Sequence, residues 1–526
     1  MCGILGVFGT ATTDIRQSIK TLVPRGPEQT RIVNIVNGVL GFTRLAINGL
    51  TEEGMQPFKI DRTVFMVNGE IYNCQALQKE YNMDCLTGSD CEVVGKLVRK
   101  YPLKFLGRAF QLLDGVFATI IVDKFRDYII IARDPFGVRP LFKAVSDGGL
   151  VVGSELKSMA NVLTVEAVEP GTFEVYDANT LALIEKQRYH HVALIRSPHL
   201  GSIDIACMAV RQSLEAAVLK RMMMERPVAA LLSGGLDSSL MAALVQRELK
   251  KVGKRLKTFS IGMKGSSDLF HAAKVAAWID SDHTEVILGP DDFFGAVEPV
   301  IHAIESYDTT TVRASVGNWL VAREVAKTDC KVVFNGDGSD EVWGSYLYFY
   351  GAPSDHEYEE EVLRLLADIH TFDVLRSDRS IASHGLEPRT PYLDKTFVQT
   401  VLSLPLEFRR PSRTRCEKWL MRRAFDDGLL PREVLWRRKE AFSDGVSGEK
   451  AWYQIAQEKA EELKVEVINT DCVNPPLTAE MAYYRSVFNK WYSNFPTATV
   501  PYFWMPRWTN ATDPSARTLA IYNEGV

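Results

Sequence analysis

The second residue of this chain is a cysteine, and removal of Met1 would put a thiol and a free α-amine on one amino acid. An α-amine titrates at about 7.7–8.0, near enough to neutrality to take the thiol proton, and an adjacent base is the usual means of activating a nucleophile. Taken alone, a cysteine at position two is more often a small inert hydrophobe. Further along, Leu231-Leu232-Ser233-Gly234-Gly235-Leu236-Asp237-Ser238-Ser239 joins an apolar run to the start of a helical pattern. Glycines there let backbone amides approach an anion, and serine hydroxyls add donors. The following helix adds its N-terminal N–H groups and partial positive charge, so the segment reads as a phosphate cradle. It lacks a Walker lysine, which excludes a P-loop; its bland reading is a serine-capped helix start. A third run, Val332-Val333-Phe334-Asn335-Gly336-Asp337-Gly338-Ser339-Asp340-Glu341, follows another apolar stretch. If both runs end adjacent strands, Asp237 and Asp340 face one site and can hold Mg²⁺ against a triphosphate, because such cations take carboxylate and phosphate oxygens together. An acidic capping loop without metal is the plain alternative.

Two textures of chain must position these groups. Residues 1–195 form short β-rich runs at 64–67, 116–122, 128–132, 150–152 and 172–176, which predicts antiparallel sheets with a hairpin pairing 118–123 with 128–133. Segment 89–100 is the best helix there. From about residue 200, helical periodicity starts with Leu214, Val218 and Met222. Strands at 228–232, 256–263, 283–288 and 331–334 then alternate with helices at 238–249 and 267–279 and with two more reaching about residue 327. That order predicts a doubly wound parallel sheet, whose ligands bind beyond the carboxyl ends of the strands, so the loops after Leu232, Met263 and Phe334 should share one crevice.

At 526 residues the chain is long enough for two cores, with 46% apolar and 24% charged residues of the ordinary globular kind. A net charge of −5, from 61 basic and 66 acidic side chains, argues against nucleic acid or an anionic membrane as partner and favours small molecules. The eight cysteines, Cys472 among them, form no C-x-x-C pair and fit a reducing, cytoplasmic compartment. The apolar start MCGILGVFG lacks a basic n-region, and no run approaches a membrane span, so neither secretion nor membrane insertion is expected.

The segments Arg44-Leu45-Ala46-Ile47-Asn48, Asn68-Gly69-Glu70-Ile71-Tyr72-Asn73 and Gly88-Ser89-Asp90, together with Cys2, resemble class II glutamine amidotransferases, an N-terminal-nucleophile hydrolase family. The resemblance implies a four-layer αββα sandwich over 1–195, with Cys2 as nucleophile and Asn68 and Gly69 as oxyanion hole. It implies a glutamine pocket of Arg44, Leu45, Ala46, Ile47, Asn48, Asn68, Gly69, Glu70 and Asp90, in which Arg44 grips the substrate carboxylate and Asp90 its amine. A bidentate guanidinium suits a carboxylate, and an amide with a backbone N–H suits an oxyanion. Where the family has Arg-His-Arg-Gly-Pro-Asp, this chain has Val23-Pro24-Arg25-Gly26-Pro27-Glu28, and no catalytic role is placed on that loop.

The Ser233–Ser238 run resembles the pyrophosphate-binding loop of ATP-pyrophosphatases. With the segments 305–315, 391–395 and 438–446, the whole chain resembles the glutamine-hydrolysing asparagine synthetases, particularly the bacterial type. That resemblance implies a synthetase unit over 200–526 that binds ATP through Leu231, Leu232, Ser233, Gly234, Gly235, Asp237, Ser238, Ile261, Asn335 and Gly336. Mg²⁺ on Asp237 and Asp340, catalytic roles for Asp337 and Lys439, and a homodimer are implied with it. The family's Ser-Gly-Glu-Gly-Ser-Asp reads Asn335-Gly336-Asp337-Gly338-Ser339-Asp340 here, with a shortened carboxylate and a bulkier residue beside the nucleotide. Two other readings stay open: a relative that closes a β-lactam or amidates another carboxylate, and an inactive nucleotide-binding homologue.

Overall fold

The computed structural model describes all residues except 147, 160, 161, 163, 466–472, 520 and 523–526. The N-terminal half stacks two six-stranded sheets. The first runs Glu166–Ala167, Phe142–Ser146, Gly149–Gly153, Gly3–Gly9, Gly38–Arg44, Gln29–Ile35 in spatial order; the second runs Leu183–Arg188, Thr172–Asp177, Tyr128–Arg133, Gly115–Asp123, Thr63–Ile71, Phe58–Ile60. Neighbouring strands are antiparallel, and the expected hairpin pairs Ala118 with Arg133 through Asp123 with Tyr128.

Strand alternation assigns the layers. In Thr63–Ile71, Val64 and Met66 meet Ile4, Leu40, Phe42 and Val152 between the sheets. Phe65 and Val67 point the other way, onto helices Glu92–Lys100 and Leu106–Leu112. The outer layer on the first sheet is thinner, made of Ile15–Ser18 and the short turns Ile19–Leu22 and Leu156–Met159. Its apolar face, including Leu5, Val7 and Val151, continues into a core shared with Val300, Ile304 and Phe488 of the C-terminal half. The two halves are therefore packed through a common interior.

The C-terminal half carries a five-stranded parallel sheet in the order Asp282–Ile287, Lys257–Gly262, Val228–Leu231, Val332–Phe334, Glu387–Arg389. The sequence order of strands and helices is as expected, with two differences. Residues 290–325 form three helices, Pro290–Gly295, Val297–Ile304 and Thr309–Val325, because Ala296 interrupts the first pair. The fifth strand, Glu387–Arg389, carries no hydrophobic run, and its proline is tolerated at a sheet edge. No helix among the described residues is long and apolar enough to cross a membrane. The described cysteines are all free; Cys472 lies outside the described residues.

Candidate functional site

The strand Gly3–Gly9 brings Cys2 beside Thr63–Ile71, and the Cys2 nitrogen donates to Asn68 Oδ1 at 3.1 Å. The Asn68 side chain is fully buried, and its Nδ2 has no hydrogen-bond partner among the described residues. A buried amide donor beside a nucleophile is what a developing oxyanion requires. Gly69 follows where the chain presses on the next strand: a Cβ there would come within 2.0 Å of Val116 O. Cys2 Sγ lies 3.7 Å from Leu45 O, and burial pushes its thiol up, an effect partly offset by the terminal ammonium. Desolvation pushes the Met1 ammonium down.

Around this centre, Asp90 Oδ2 accepts from Ile71 N at 2.6 Å, and burial raises its carboxyl to about 6. Asn48 Nδ2 donates to Glu70 Oε2 at 2.6 Å, and Ala46 N to Glu28 Oε2 at 2.8 Å. Arg44 is buried and already donates to Thr51 O at 2.9 Å, to Gln29 Oε1 at 3.2 Å and to Gly49 O. Those contacts fix its guanidinium in the loop that follows Asn48.

The loop from which no catalytic contact was expected turns out to support the nucleophile. Arg25 Nε donates to Cys2 O at 3.0 Å, while its Nη1 meets Glu155 at 2.6 Å and Asp378 at 2.8 Å. Asp378 also accepts from Arg139 at 3.2 Å. Asp378 belongs to helix Asp373–Ala382 of the C-terminal half, so one carboxylate holds two arginines of the other half in a buried interface. Removing one member of such a network typically costs about 3–5 kcal/mol, because the remaining charges stay buried. Asp378→Ala is accordingly expected to destabilise the protein by roughly that amount, read as a lower denaturant midpoint. Unchanged stability would show that the two arginines find other partners.

The second site lies at the carboxyl ends of the parallel strands, in an open cavity of about 230 Å³. After Leu231, Ser233 N and Ser233 Oγ bond Ser238 Oγ at 3.1 and 3.0 Å, closing the loop onto the N-terminus of helix Leu236–Lys250. Gly234 has φ +71°, and a Cβ there would lie 2.5 Å from Ala272 N, so the turn needs glycine on both counts. The neighbouring strand delivers Asn335–Asp340, and Ser339 Oγ donates to Asp237 Oδ1 at 2.8 Å.

Asp237 and Asp340 converge as the sequence suggested, and a lysine that sequence reasoning missed sits between them. Lys418 Nζ lies 2.6 Å from both Asp237 Oδ2 and Asp340 Oδ1, and Lys439 Nζ lies 2.7 Å from each Asp340 oxygen. Burial alone would raise the Asp340 carboxyl, but the two ammonium groups hold it well below the usual range. No cluster of three or more potential protein ligands for a metal occurs among the described residues. Two carboxylates facing one cation-sized position still fit Mg²⁺, which binds through one or two carboxylates plus substrate phosphate and water.

The two departures in the acidic loop also find partners. Asp337 pairs with Arg376 at 3.0 Å, and Arg376 also holds Asp373. Asn335 is buried and donates to Ser377 Oγ at 2.6 Å, so its added bulk is anchored on the neighbouring helix. Sequence reasoning missed Arg25, Arg376, Asp378 and Lys418. Arg376, Asp378 and Lys418 sit in no glycine-rich or strand-end signal, and only the fold brings them in; Arg25 lies in the 23–28 stretch, to which no catalytic role was assigned.

Between the sites runs a chain of buried polar groups. Glu70, beside Asn48, lies 3.4 Å from Arg389; Arg389 Nε donates to Glu387 at 2.9 Å, and Asn335 N donates to Arg389 O at 3.2 Å. Burial would raise Glu387, but Arg389 and its neighbours hold it down, whereas burial and nearby carboxylates push Glu70 well up.

Comparison with known proteins agrees with this two-site layout. The glutamine amidotransferase domain family matches residues 1–212, and the asparagine synthase family matches residues 209–367 and 351–492. The chain is 40% identical to the asparagine synthetase [glutamine-hydrolyzing] of Gallus gallus, with 100% of each chain covered. It is 41% identical to that of Cricetulus griseus and 40% to that of Homo sapiens, again with 100% of each covered.

Proposed function

The chain belongs to the glutamine-hydrolysing asparagine synthetase family, and from that premise we propose which of its residues run the two half-reactions. The protein is a ligase that amidates aspartate with ATP, using ammonia from glutamine. In the first half-reaction, Cys2 Sγ attacks the glutamine carboxamide after loss of Met1. The freed α-amine takes the thiol proton, a role that an adjacent base titrating near neutrality can fill. Asn68 Nδ2 and the Gly69 amide receive the oxyanion, Arg44 the substrate carboxylate and Asp90 its ammonium. Leu45, Ala46, Ile47, Asn48 and Glu70 complete the pocket. Collapse of the oxyanion expels ammonia, and water then releases glutamate from the thioester.

Asp90 gives this site a pH signature. Its carboxyl titrates near 6 and must be ionised to hold the substrate ammonium. kcat/KM for glutamine, which reports the free enzyme, is therefore expected to fall about tenfold per pH unit below that value. A profile flat from pH 5 to 8, measured as glutamate release, would remove Asp90 from the role.

In the second half-reaction the aspartate β-carboxylate attacks the α-phosphorus of ATP held by Leu231, Leu232, Ser233, Gly234, Gly235, Asp237, Ser238, Ile261, Asn335 and Gly336. Pyrophosphate leaves, and ammonia displaces AMP from the β-aspartyl adenylate. Lys439 and Lys418 offset charge on the departing phosphates. Mg²⁺ on Asp237 and Asp340 would screen the triphosphate and polarise the α-phosphate. Asp337 takes a proton from the attacking ammonia, and its contact with Arg376, which would steady the carboxylate, supports that role.

We put the glutaminase unit at 1–195 and the synthetase unit at 200–526; the last strand of the second sheet ends at Arg188 and the helix Ile203–Lys220 begins the next unit. A homodimer and a cytoplasmic location follow as expectations of the family. The observation that supports the two-site reading is that one chain carries the buried Cys2–Asn68 centre and, at the ends of a separate parallel sheet, the Ser233–Ser238 loop facing Asp340, with the buried contacts Glu70, Arg389 and Asn335 packed between them. Ammonia released in bulk water would be protonated and lose its nucleophilicity. The test is pyrophosphate release from Mg-ATP, with and without aspartate, fed by glutamine or ammonium. Release and asparagine formation from both nitrogen sources support the reading, and release that ignores aspartate overturns it.

A further inference from the structure

Lys418 precedes the short helix Trp419–Ala424 with φ +56°, in the left-handed region where a residue carrying a Cβ is strained. Arg422, one helical turn on, holds that turn in place. Its Nε donates to Glu417 O at 3.0 Å and its Nη2 to Glu417 Oε1 at 2.5 Å. Its Nη1 donates to Leu435 O at 2.6 Å and to Arg437 O at 3.0 Å, which ties the Lys418 turn to the stretch that carries Lys439. Strained backbone persists only where the surroundings over-determine it, and such an outlier in a ligand cavity points to function.

The strained turn delivers one ammonium group to one place. Lys418 is only 2% exposed, and its Nζ lies 2.6 Å from Asp237 Oδ2 and 2.6 Å from Asp340 Oδ1. An equidistant position between two carboxylates on neighbouring strand-end loops is where a bridging cation sits. Lys439 reaches only Asp340, at 2.7 Å from each oxygen. The protein's own two cations thus neutralise its two carboxylates.

A divalent ion that arrives alone must displace the Lys418 ammonium and then stand beside two ammonium groups. An ion that arrives on a triphosphate brings phosphate oxygens, onto which the displaced ammonium can move. The four-carbon stem of lysine is flexible enough for that step while the Arg422 contacts keep the backbone fixed.

We propose that Lys418 is a resident cation that closes the Asp237–Asp340 position to free divalent ions and yields it only to a metal carried by the nucleotide. The inference rests on the assignment of Mg²⁺ to Asp237 and Asp340 and deepens it. A cation in contact with a carboxylate holds off a competing proton by about 10- to 10³-fold, and a competing metal ion is held off in the same way.

The experiment titrates Mn²⁺ alone, without nucleotide, into the full chain and follows the paramagnetic resonance of the unbound ion. Wild type is compared with Lys418→Met and Lys418→Gln, each checked for cooperative unfolding, and with Lys418→Met combined with Asp237→Asn. The single variants are expected to bind Mn²⁺ at least about tenfold more tightly than wild type, and the double variant to lose that gain. Equal affinity in wild type and a folded single variant overturns the proposal, as does a gain that survives Asp237→Asn. A second titration adds α,β-methylene-ATP, which cannot be cleaved between its α and β phosphates. Wild type that takes up Mn²⁺ only with this nucleotide supports the proposal. Wild type that binds Mn²⁺ equally well without it overturns the proposal, whether or not the variants fold. Failure of the parent metal assignment looks different, since Asp237→Asn alone would then leave Mn²⁺ uptake with the nucleotide unchanged.

Discussion

Cys2→Ala is expected to lower glutamine-dependent asparagine formation by at least about 10⁴-fold, while ammonium-dependent formation continues near the wild-type rate. The magnitude follows from losing the thiol that attacks the carboxamide, since Asn68 and Gly69 stabilise an oxyanion but cannot form the thioester. The selectivity follows from the layout. Cys2 touches Asn68 and Leu45 and is touched by Arg25, all of the N-terminal half, whereas the phosphate cradle is built at the carboxyl ends of the strands of a separate sheet. Removing one sulfur changes no contact of Asp237, Asp340 or either lysine. Parallel loss of both activities would mean that the two halves communicate through the Cys2 backbone itself, by way of Arg25 and Asp378.

How much of this was legible beforehand depended on sequence distance. Cys2, the Asn68-Gly69 pair and the Ser233–Ser238 loop each carry their chemistry within a few residues, and they stand where strand and helix periodicity puts them. Lys418 could not be read that way. It acts on Asp237 across 181 positions, in a stretch without glycines or strand pattern. Asp378 reaches Arg25 across 353 positions. Its own helix shows a carboxylate between two arginines, which alone resembles any solvated helix face.

The edge strand Glu387–Arg389 shows the same limit at the level of the fold. Three residues, two charged and one proline, give no β signal. They become a strand because Val332–Phe334 offers a free edge, and they stay buried because Arg389 and Glu387 neutralise each other there. Arg25 is a different case: the motif departure drew attention to the missing histidine, while the structural contribution of that loop lies in the arginine two positions past Val23.

Lys439→Met should produce the opposite pattern to Cys2→Ala. The Lys439 ammonium lies 2.7 Å from both oxygens of Asp340, and Asp340 also binds Lys418, so two cations and two carboxylates balance around one point. Burial disfavours the Lys439 charge, but Asp340 and Asp237 more than restore it. Taking away this point charge leaves Lys418 to neutralise both carboxylates and the departing phosphates. Loss of one preorganised charge aimed at a developing anion costs about 10²–10³ in rate, so pyrophosphate release should fall by that factor with glutamine and with ammonium alike. Glutamine hydrolysis should persist, giving an enzyme that makes glutamate without asparagine. Lys439→Arg should recover only part of the loss, because a planar fork cannot reproduce a compact ammonium seated between two oxygens of one carboxylate. The decisive readout is the ratio of glutamate to pyrophosphate: a value that stays at the wild-type level would place Lys439 outside the phosphate chemistry, and a large rise would put it at the centre.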